Sequence, residues 1–142
     1  MFQPSRDEAR RFFFDTWSKY SRGEPLSGLE QIALEVMLLH PEYHGLLADA
    51  DRNLEHEFTP ERGSMNPFLH LALHLAIEEQ LSIDQPPGVR ASYDALVKKR
   101  GSEHDAKHDV LECLGEMMWQ AQRTQTAPNE QAYLDCLRRK AR

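Results

Sequence analysis

Several features that would indicate a function directly are missing from this chain of 142 residues. There is no glycine-rich phosphate loop, and no run of about 20 apolar residues that could cross a membrane. The net charge of −6 argues against nonspecific nucleic-acid binding, which requires a basic surface. We therefore expect neither a nucleic-acid partner nor a membrane partner, and the sequence leaves other partners and a homo-oligomer open.

Cysteine is also rare, since Cys113 and Cys136 are the only two and form no CxxC motif. Each falls in a helical pattern, where a free cysteine usually packs as a small hydrophobic side chain. The N-terminal segment is charged from residue 6 and has no long apolar run, so it does not resemble a signal peptide. We expect a cytoplasmic protein with reduced, buried cysteines.

Strand patterns are absent as well, because no segment alternates Val, Ile and Thr with polar residues, whereas the helical period recurs throughout. A chain of this length can bury a hydrophobic core, and 40% of its residues are apolar. We predict an all-α fold, a single helical domain over residues 1–142 that forms a compact bundle of about five to six main helices. The predicted helices run approximately from Ser5 to Tyr20, Ser27 to His40, Asn66 to Ile83, Val89 to Lys99, Ser102 to Gln122, and Pro128 to the C-terminus, with a short continuation over Glu42 to Asp51 and a loop over Asn53 to Met65.

Local capping signals mark several of these helix starts. Ser27 with Glu30 three residues later forms a capping box. Asn66 followed by Pro67 is an N-cap with proline at the first helical position. Ser102 is predicted to cap the longest helix. These three signals predict the first residues of the helices that contain the histidines and glutamates described next.

A pattern of two histidines and a glutamate occurs twice, in two of the predicted helices. Its i, i+4 spacing places both histidines of each pair on one helix face, and in the first helix that face is otherwise apolar. Histidine and carboxylate side chains that converge from two helices are typical of a metal site inside a helical bundle. The two copies are His70-x3-His74-x3-Glu78 and His104-x3-His108-x3-Glu112.

Helix geometry ranks these candidate ligands. Residues i and i+4 are separated by about 6 Å along the axis and residues i and i+8 by about 12 Å, so one helix supplies two ligands to an ion rather than three. His74 and His108 come to the same level whether the two helices run parallel or antiparallel, and we predict them as the principal pair. Glu78 lies nearer the apolar face than Glu112, which borders the polar side.

The second predicted helix adds further candidates. Glu35 interrupts an apolar segment, where a lone carboxylate needs a cation or a hydrogen-bond donor. His40 and His44 flank Pro41, where a kink could turn them inward. With Glu35 as a bridging carboxylate, these residues would complete a site for one or two ions of iron, manganese or zinc. A metal-dependent oxidative or hydrolytic reaction would suit such a site, with Glu78 or Glu35 as bridging ligand or base.

Two alternatives remain open. The histidines and glutamates can form a buried polar network that fixes helix register in a non-catalytic adaptor or regulatory domain. Haem binding through a histidine is the other alternative, although no haem-attachment motif is present. The spacing differs from the Glu-x-x-His of ferritin-like di-iron proteins and from the His-Glu-x-x-His of zinc proteases, so it predicts no specific reaction.

Five segments spread over nearly the whole chain together resemble one protein family. They are MFQPSRDEARRFF, HPEYH, NPFLHLALHLAIEEQLSIDQPPGVR, HDAKHDVLECLGEMMW and YLDCLRR. The family that they resemble is a bacterial one, known as domain of unknown function 1841. The resemblance implies a small, stand-alone bacterial protein. It implies no catalytic residue, because the family has no established activity.

Overall fold

The described part of the chain is built from helices. The computed structural model describes residues 6–50 and 66–142, and these ranges contain helices and turns but no strand. The predicted all-α fold is confirmed, and the seven α-helices in these ranges slightly exceed the predicted number. None of them combines the length and the apolar character needed to span a membrane. The helices are α1 (Arg6–Ser21), α2 (Gly28–Leu38), α3 (His44–Leu47), α4 (Pro67–Ile83), α5 (Val89–Arg100), α6 (Glu103–Thr124) and α7 (Glu130–Ala141), with a 3-10 turn at Pro41–Tyr43.

The capping signals form as the sequence predicts. At the start of α2, Ser27 Oγ accepts a hydrogen bond from Glu30 N at 3.3 Å, while Glu30 Oε1 accepts one from Ser27 N at 3.0 Å. Asn66 Oδ1 accepts the backbone N–H of Phe68 at 2.9 Å at the start of α4. Ser102 caps α6 in the same way. Each bond satisfies a backbone donor that the first turn of a helix leaves unpaired.

Helix α2 ends at Leu38 rather than at the predicted His40. The residue before a proline is disfavoured in the α conformation, and His40, which precedes Pro41, has φ −126° and ψ 67°. In the part that the structure describes, the short continuation at a new angle predicted over Glu42 to Asp51 consists of the 3-10 turn and the four-residue helix α3. This bend leaves His40 between helices.

The last helix also begins later than predicted. Its N-cap is Asn129, whose Oδ1 accepts the backbone N–H of Ala132 at 3.0 Å, so the helix starts at Glu130 and not at Pro128. Asparagine is a stronger N-cap than the residues around it, which explains the shift. The predicted loop over 53–65 and the predicted helix start at Ser5 lie outside the described residues.

The internal contacts of the chain divide it into two units, residues 1–75 and 76–142. In the first unit α1 packs against α2, and apolar side chains of α1, α2, α3 and the first part of α4 form one core. The prediction of a single domain stays a prediction. The buried core residues of the first unit are Phe13, Phe14, Ala33, Leu34, Val36, Met37, Leu47, Phe68, Leu71 and Leu75.

In the second unit α5, α6 and α7 each pack against the other two. The buried Tyr133 of α7 donates its hydroxyl proton to Oε1 of the buried Gln80 at 2.6 Å, so both polar groups are satisfied away from water. Removal of apolar side chains from water is the main stabilising contribution to such a core. The buried apolar residues of this unit include Ile77, Val89, Leu96, Ala106, Val110, Leu111, Leu114, Leu134 and Leu137.

A disulfide bond joins α6 to α7 in the second unit. It links Cys113 to Cys136, so the expectation of free, reduced cysteines is wrong. Cys113 is buried, as predicted, whereas Cys136 is half-buried. The two residues are 23 positions apart, and only the packing of α6 on α7 brings their Cα atoms to 5.9 Å, within the range that a disulfide requires. Spacing in the sequence could not indicate this.

Candidate metal centre

Three histidines of the first unit come together beside the end of α2 and the first turns of α4. His70 and His74 lie four residues apart on α4, so their rings project from the same side of that helix. His40 reaches them from the bend that precedes Pro41. His40 and His74 are each 3% exposed, and His70 is half-buried. The structure therefore brings together three of the predicted ligands.

Two of the separations between ring nitrogens of these histidines are close to those in a coordination shell. His70 Nε2 is 3.2 Å from His40 Nε2 and 3.1 Å from His74 Nε2. One ring nitrogen of each histidine lies within 4.8 Å of those of the other two. Two nitrogen ligands at about 2.0–2.1 Å from a tetrahedral ion are separated by roughly 3.3–3.4 Å. The two shorter separations are close to that edge length.

A backbone hydrogen bond selects the tautomer of the His40 ring. Its Nδ1 donates to the carbonyl oxygen of Val36 at 2.8 Å. A neutral imidazole carries one N–H, so this bond places the proton on Nδ1 and leaves a lone pair on Nε2. The lone pair faces the His70 ring. Ligand histidines in metal sites are commonly held in this way, with the second nitrogen donating to a backbone carbonyl or a carboxylate.

This protonation restricts hydrogen bonding among the three nitrogens. With a lone pair on His40 Nε2, the 3.2 Å contact requires a proton on His70 Nε2. A second proton on His74 Nε2 would place two N–H groups against each other at 3.1 Å, so His74 Nε2 would also be an acceptor in this contact. Three such lone pairs that converge at these distances are the donor set that a bound cation requires.

Tyr43 packs against two of the histidines. Its ring is stacked on His40, with centroids 5.7 Å apart and an angle of 7°, and it approaches His70 edge to face at 5.8 Å. Burial, with a smaller contribution from the charge of Glu42, raises the pKa of Tyr43. Its ring therefore orients two candidate ligands while the phenol stays neutral. Tyr43 was not among the predicted site residues, and its position three residues after His40 was the only signal that the sequence offered.

His44, the second histidine beside the bend, points elsewhere. Its Nε2 donates to the carbonyl oxygen of Met37 at 2.8 Å. Its ring packs against Trp17, with centroids 4.5 Å apart. The bend at Pro41 therefore brings His40 into the cluster but not His44.

Glu35 does not join the histidine cluster in the described part of the chain. Its side chain is exposed on α2, so the premise that it is a buried carboxylate in need of a cation is wrong. The error arose because apolar residues surround it in the sequence, yet three of these, Ile32, Leu38 and Leu39, are exposed as well. Burial therefore gives no support to Glu35 as a bridging ligand, and that role stays a prediction.

The glutamates of both repeats pair with lysines inside the second unit. Glu78 Oε1 lies 2.6 Å from Lys107 Nζ, and Glu112 Oε2 lies 2.7 Å from Lys140 Nζ. Burial alone lowers the pKa of Lys107, but the hydrogen bond and charge of Glu78 outweigh it, and the net effect is a raised pKa. Each carboxylate thus has a cationic partner already, and its predicted role as a ligand or base stays a prediction.

The second repeat places its histidines on α6. His108 Nδ1 donates to the carbonyl oxygen of His104 at 3.0 Å, and the two rings meet edge to face with centroids 4.3 Å apart. As in His40, this bond leaves a lone pair on His108 Nε2. His104 is exposed. Of this repeat, His108 is therefore the residue better prepared as a ligand, and the prediction that it shares an ion with His74 stays a prediction.

Comparison with known proteins adds a family but no activity. A family profile described as Domain of unknown function (DUF1841) matches residues 5–139. No curated protein and no solved structure matches the chain. The chemistry has to be inferred from the side chains of the site.

Proposed function

The chain belongs to the family described as Domain of unknown function (DUF1841), and because that description names no activity, we propose a function from the site itself. His40, His70 and His74 bind a divalent transition-metal ion through their Nε2 atoms. Two observations support this most directly. His70 Nε2 lies 3.2 Å from His40 Nε2 and 3.1 Å from His74 Nε2. The hydrogen bond from His40 Nδ1 to Val36 O leaves a lone pair on His40 Nε2.

Zinc is the ion that suits this donor set best. Imidazole nitrogens suit zinc, copper, iron and nickel, whereas manganese prefers carboxylate and water oxygens. Non-haem iron sites of the oxygenase type combine two histidines with a carboxylate. In the described residues, the cluster contains histidines and no carboxylate. Of the three ions predicted from the sequence, zinc is therefore preferred, and one ion is proposed rather than two.

The number of protein ligands decides what the bound zinc can do. Zinc in proteins is usually four-coordinate, so three histidines leave one position for water or a substrate. Three protein ligands and a water are the arrangement of catalytic zinc sites, where the pKa of the bound water falls to about 7. A fourth protein ligand would close the site and make it structural. His108, which in the second repeat corresponds to His74, is the candidate for that fourth ligand.

Metal analysis of protein made without a histidine tag tests the proposal. We expect about one zinc ion per chain after dialysis against buffer with trace zinc. Cobalt(II) provides an independent measurement, since tetrahedral cobalt absorbs visible light far more strongly than hexahydrated cobalt. Zinc should also raise the free energy of unfolding, because it binds the folded chain in preference to the unfolded one.

Single alanine variants locate the ligands. His40→Ala, His70→Ala and His74→Ala should each weaken zinc binding by at least about tenfold, because each removes a direct ligand. His44→Ala is the matched control, a neighbouring histidine whose Nε2 is occupied by Met37 O. Circular dichroism of every variant separates ligand loss from unfolding.

A comparison of His108→Ala with His104→Ala tests the fourth position. If His108 is a ligand, its loss alone should weaken zinc binding and change the cobalt spectrum. If both variants bind zinc as the original chain does, the fourth position belongs to water or substrate. The proposal as a whole is wrong if zinc stays below about 0.2 per chain and leaves the stability of the original chain unchanged. The histidines would then form a polar network of a non-catalytic domain.

A further inference from the structure

The disulfide of the second unit lines a groove large enough for a small molecule. The groove has a volume of about 470 Å³ and is bounded by α6, α7 and the segment that joins them. Both Cys113 and Cys136 lie in its wall. Pockets for small ligands usually measure about 300–1,000 Å³. A disulfide in such a wall is accessible to a reactant, unlike one enclosed by a core.

The two sulfur-bearing residues differ in exposure, which distinguishes their roles in an exchange reaction. Cys113 is 1% exposed, whereas Cys136 is half-buried. Cys136, as the more exposed residue, is therefore the better target for a thiolate that enters the groove. Attack there makes the sulfur of Cys113 the leaving group.

A cation stands beside the sulfur that would be attacked. Arg139 lines the groove and lies three residues after Cys136 on α7, so the two side chains share a helix face. Within the described residues no carboxylate pairs with Arg139, whereas the neighbouring Arg138 lies 3.4 Å from Asp135. The acidic residue of the groove, Glu116, accepts a hydrogen bond from Gln120 at 3.2 Å. Arg139 is thus available to an anionic group of a ligand.

We propose that this groove is a thiol–disulfide exchange site for small thiols that carry a carboxylate, with Arg139 binding the carboxylate. The thiolate attacks Cys136 Sγ and forms a mixed disulfide, while the bond to Cys113 breaks and its electron pair goes to Cys113 Sγ, which takes a proton from water. A second thiolate attacks the sulfur of the bound thiol and releases Cys136 as a thiolate. Two small thiols are thereby oxidised to one disulfide, and the protein disulfide is reduced to two thiols.

Paired thiols and paired arginine variants test the proposal. The folded chain is incubated with 3-mercaptopropionate or with 2-mercaptoethanol, which is similar in size and lacks the carboxylate. Free cysteines are alkylated at timed intervals and counted by mass spectrometry. Arg139→Ala should slow exchange with 3-mercaptopropionate by about two- to fivefold, the effect of one exposed ion pair, and leave the rate with 2-mercaptoethanol unchanged.

Two controls separate carboxylate binding in the groove from a general effect of charge or of unfolding. Arg138→Ala removes a neighbouring charge that does not line this groove, and it should leave both rates unchanged. Acid quenching and peptide mapping should place the mixed disulfide on Cys136. The proposal is overturned if Arg139→Ala slows both thiols equally or neither, or if the adduct forms on Cys113. It is also overturned if the rate does not depend on thiol concentration, because the chain would then have to unfold before exchange.

Discussion

His40 donates its Nδ1 proton to the carbonyl oxygen of Val36, four residues earlier, at 2.8 Å. The bond spans the end of α2 and holds the imidazole in the one neutral form that presents a lone pair to His70. A ligand whose orientation and protonation are set before the ion arrives binds that ion with less loss of side-chain freedom. The backbone of α2 therefore prepares the site as directly as the histidines themselves.

Tyr43 should strengthen zinc binding through its ring rather than its hydroxyl, since its ring stacks on His40. We expect Tyr43→Ala to weaken zinc binding about tenfold, in the range found for residues that orient ligands. Tyr43→Phe keeps the ring and should remain within about twofold of the original chain. Calorimetric titration of the metal-free variants with zinc measures both. If both variants lose zinc affinity equally, the phenol oxygen of Tyr43, and not its ring, strengthens zinc binding.

The disulfide should stabilise the second unit. Its cysteines are 23 residues apart, and closing a loop of that length in the unfolded chain contributes about 3 kcal/mol. The Cys113→Ala/Cys136→Ala variant should unfold in urea with a free energy lower by about that amount. A reducing agent should lower the stability of the original chain to a similar level and leave the double variant unaffected. Original chain that keeps its full stability after complete reduction would contradict the prediction.

Tyr133 and Gln80 form a buried pair whose members depend on each other. Burial raises the pKa of Tyr133, so its hydroxyl remains a donor to Gln80 Oε1 at 2.6 Å. Tyr133→Phe leaves that acceptor buried without its partner and should cost about 1–2 kcal/mol in the free energy of unfolding. Adding Gln80→Leu should restore part of the loss, because the unpaired amide is removed. A double-mutant cycle from urea unfolding gives the coupling, and strictly additive losses would show that the contact contributes little.

Glu30 should give the first unit an acid-sensitive component of stability. The hydrogen bond from Lys19, reinforced by the backbone N–H of Ser27, lowers the pKa of Glu30 below its ordinary 4.5. Its stabilising effect is therefore fully present above that value and is lost as pH falls through the lowered pKa. Urea unfolding between about pH 3 and 7 should show Glu30→Gln less stable at neutral pH, with the difference shrinking towards pH 3.

The control for that series is Glu24→Gln. Glu24 pairs with Arg22 at 2.7 Å, but both side chains are largely exposed, so the pair contributes little in water. Its loss should change stability by less than about 0.5 kcal/mol at any pH. If the difference between Glu30→Gln and the original chain is independent of pH, the carboxylate acts through its shape and not through its charge.

The sequence predicts features that depend on residues close together in the chain, such as helix caps. It does not predict features that depend on how helices pack, such as which side chains are buried. The caps at Ser27, Asn66 and Ser102 are confirmed because each involves residues within one turn. The shared face of His70 and His74 follows from helix periodicity alone. The expected burial of Glu35 was wrong, because an apolar neighbourhood in the sequence does not say which side of a helix packs inward.

Contacts between residues that are far apart in the sequence could not be predicted from local patterns. Cys113 joins Cys136, and Glu78 joins Lys107, only because α6 has particular neighbours in the second unit. His40 was a candidate because it precedes Pro41, yet nothing local showed that the bend favours it over His44. The sequence thus predicts helix starts and candidate side chains, and the selection among candidates comes from tertiary contacts.

The end of α2 has an electrostatic consequence for the proposed ion. This helix has no basic residue in its last turn, although the carbonyl groups there carry a partial negative charge of about half an electron. Val36 O and Met37 O instead accept hydrogen bonds from the rings of His40 and His44. A zinc ion held by His40 would supply the positive charge that lysine or arginine provides at other helix ends. Removing the ion should therefore speed amide hydrogen exchange in the last turn of α2 before the rest of that helix responds.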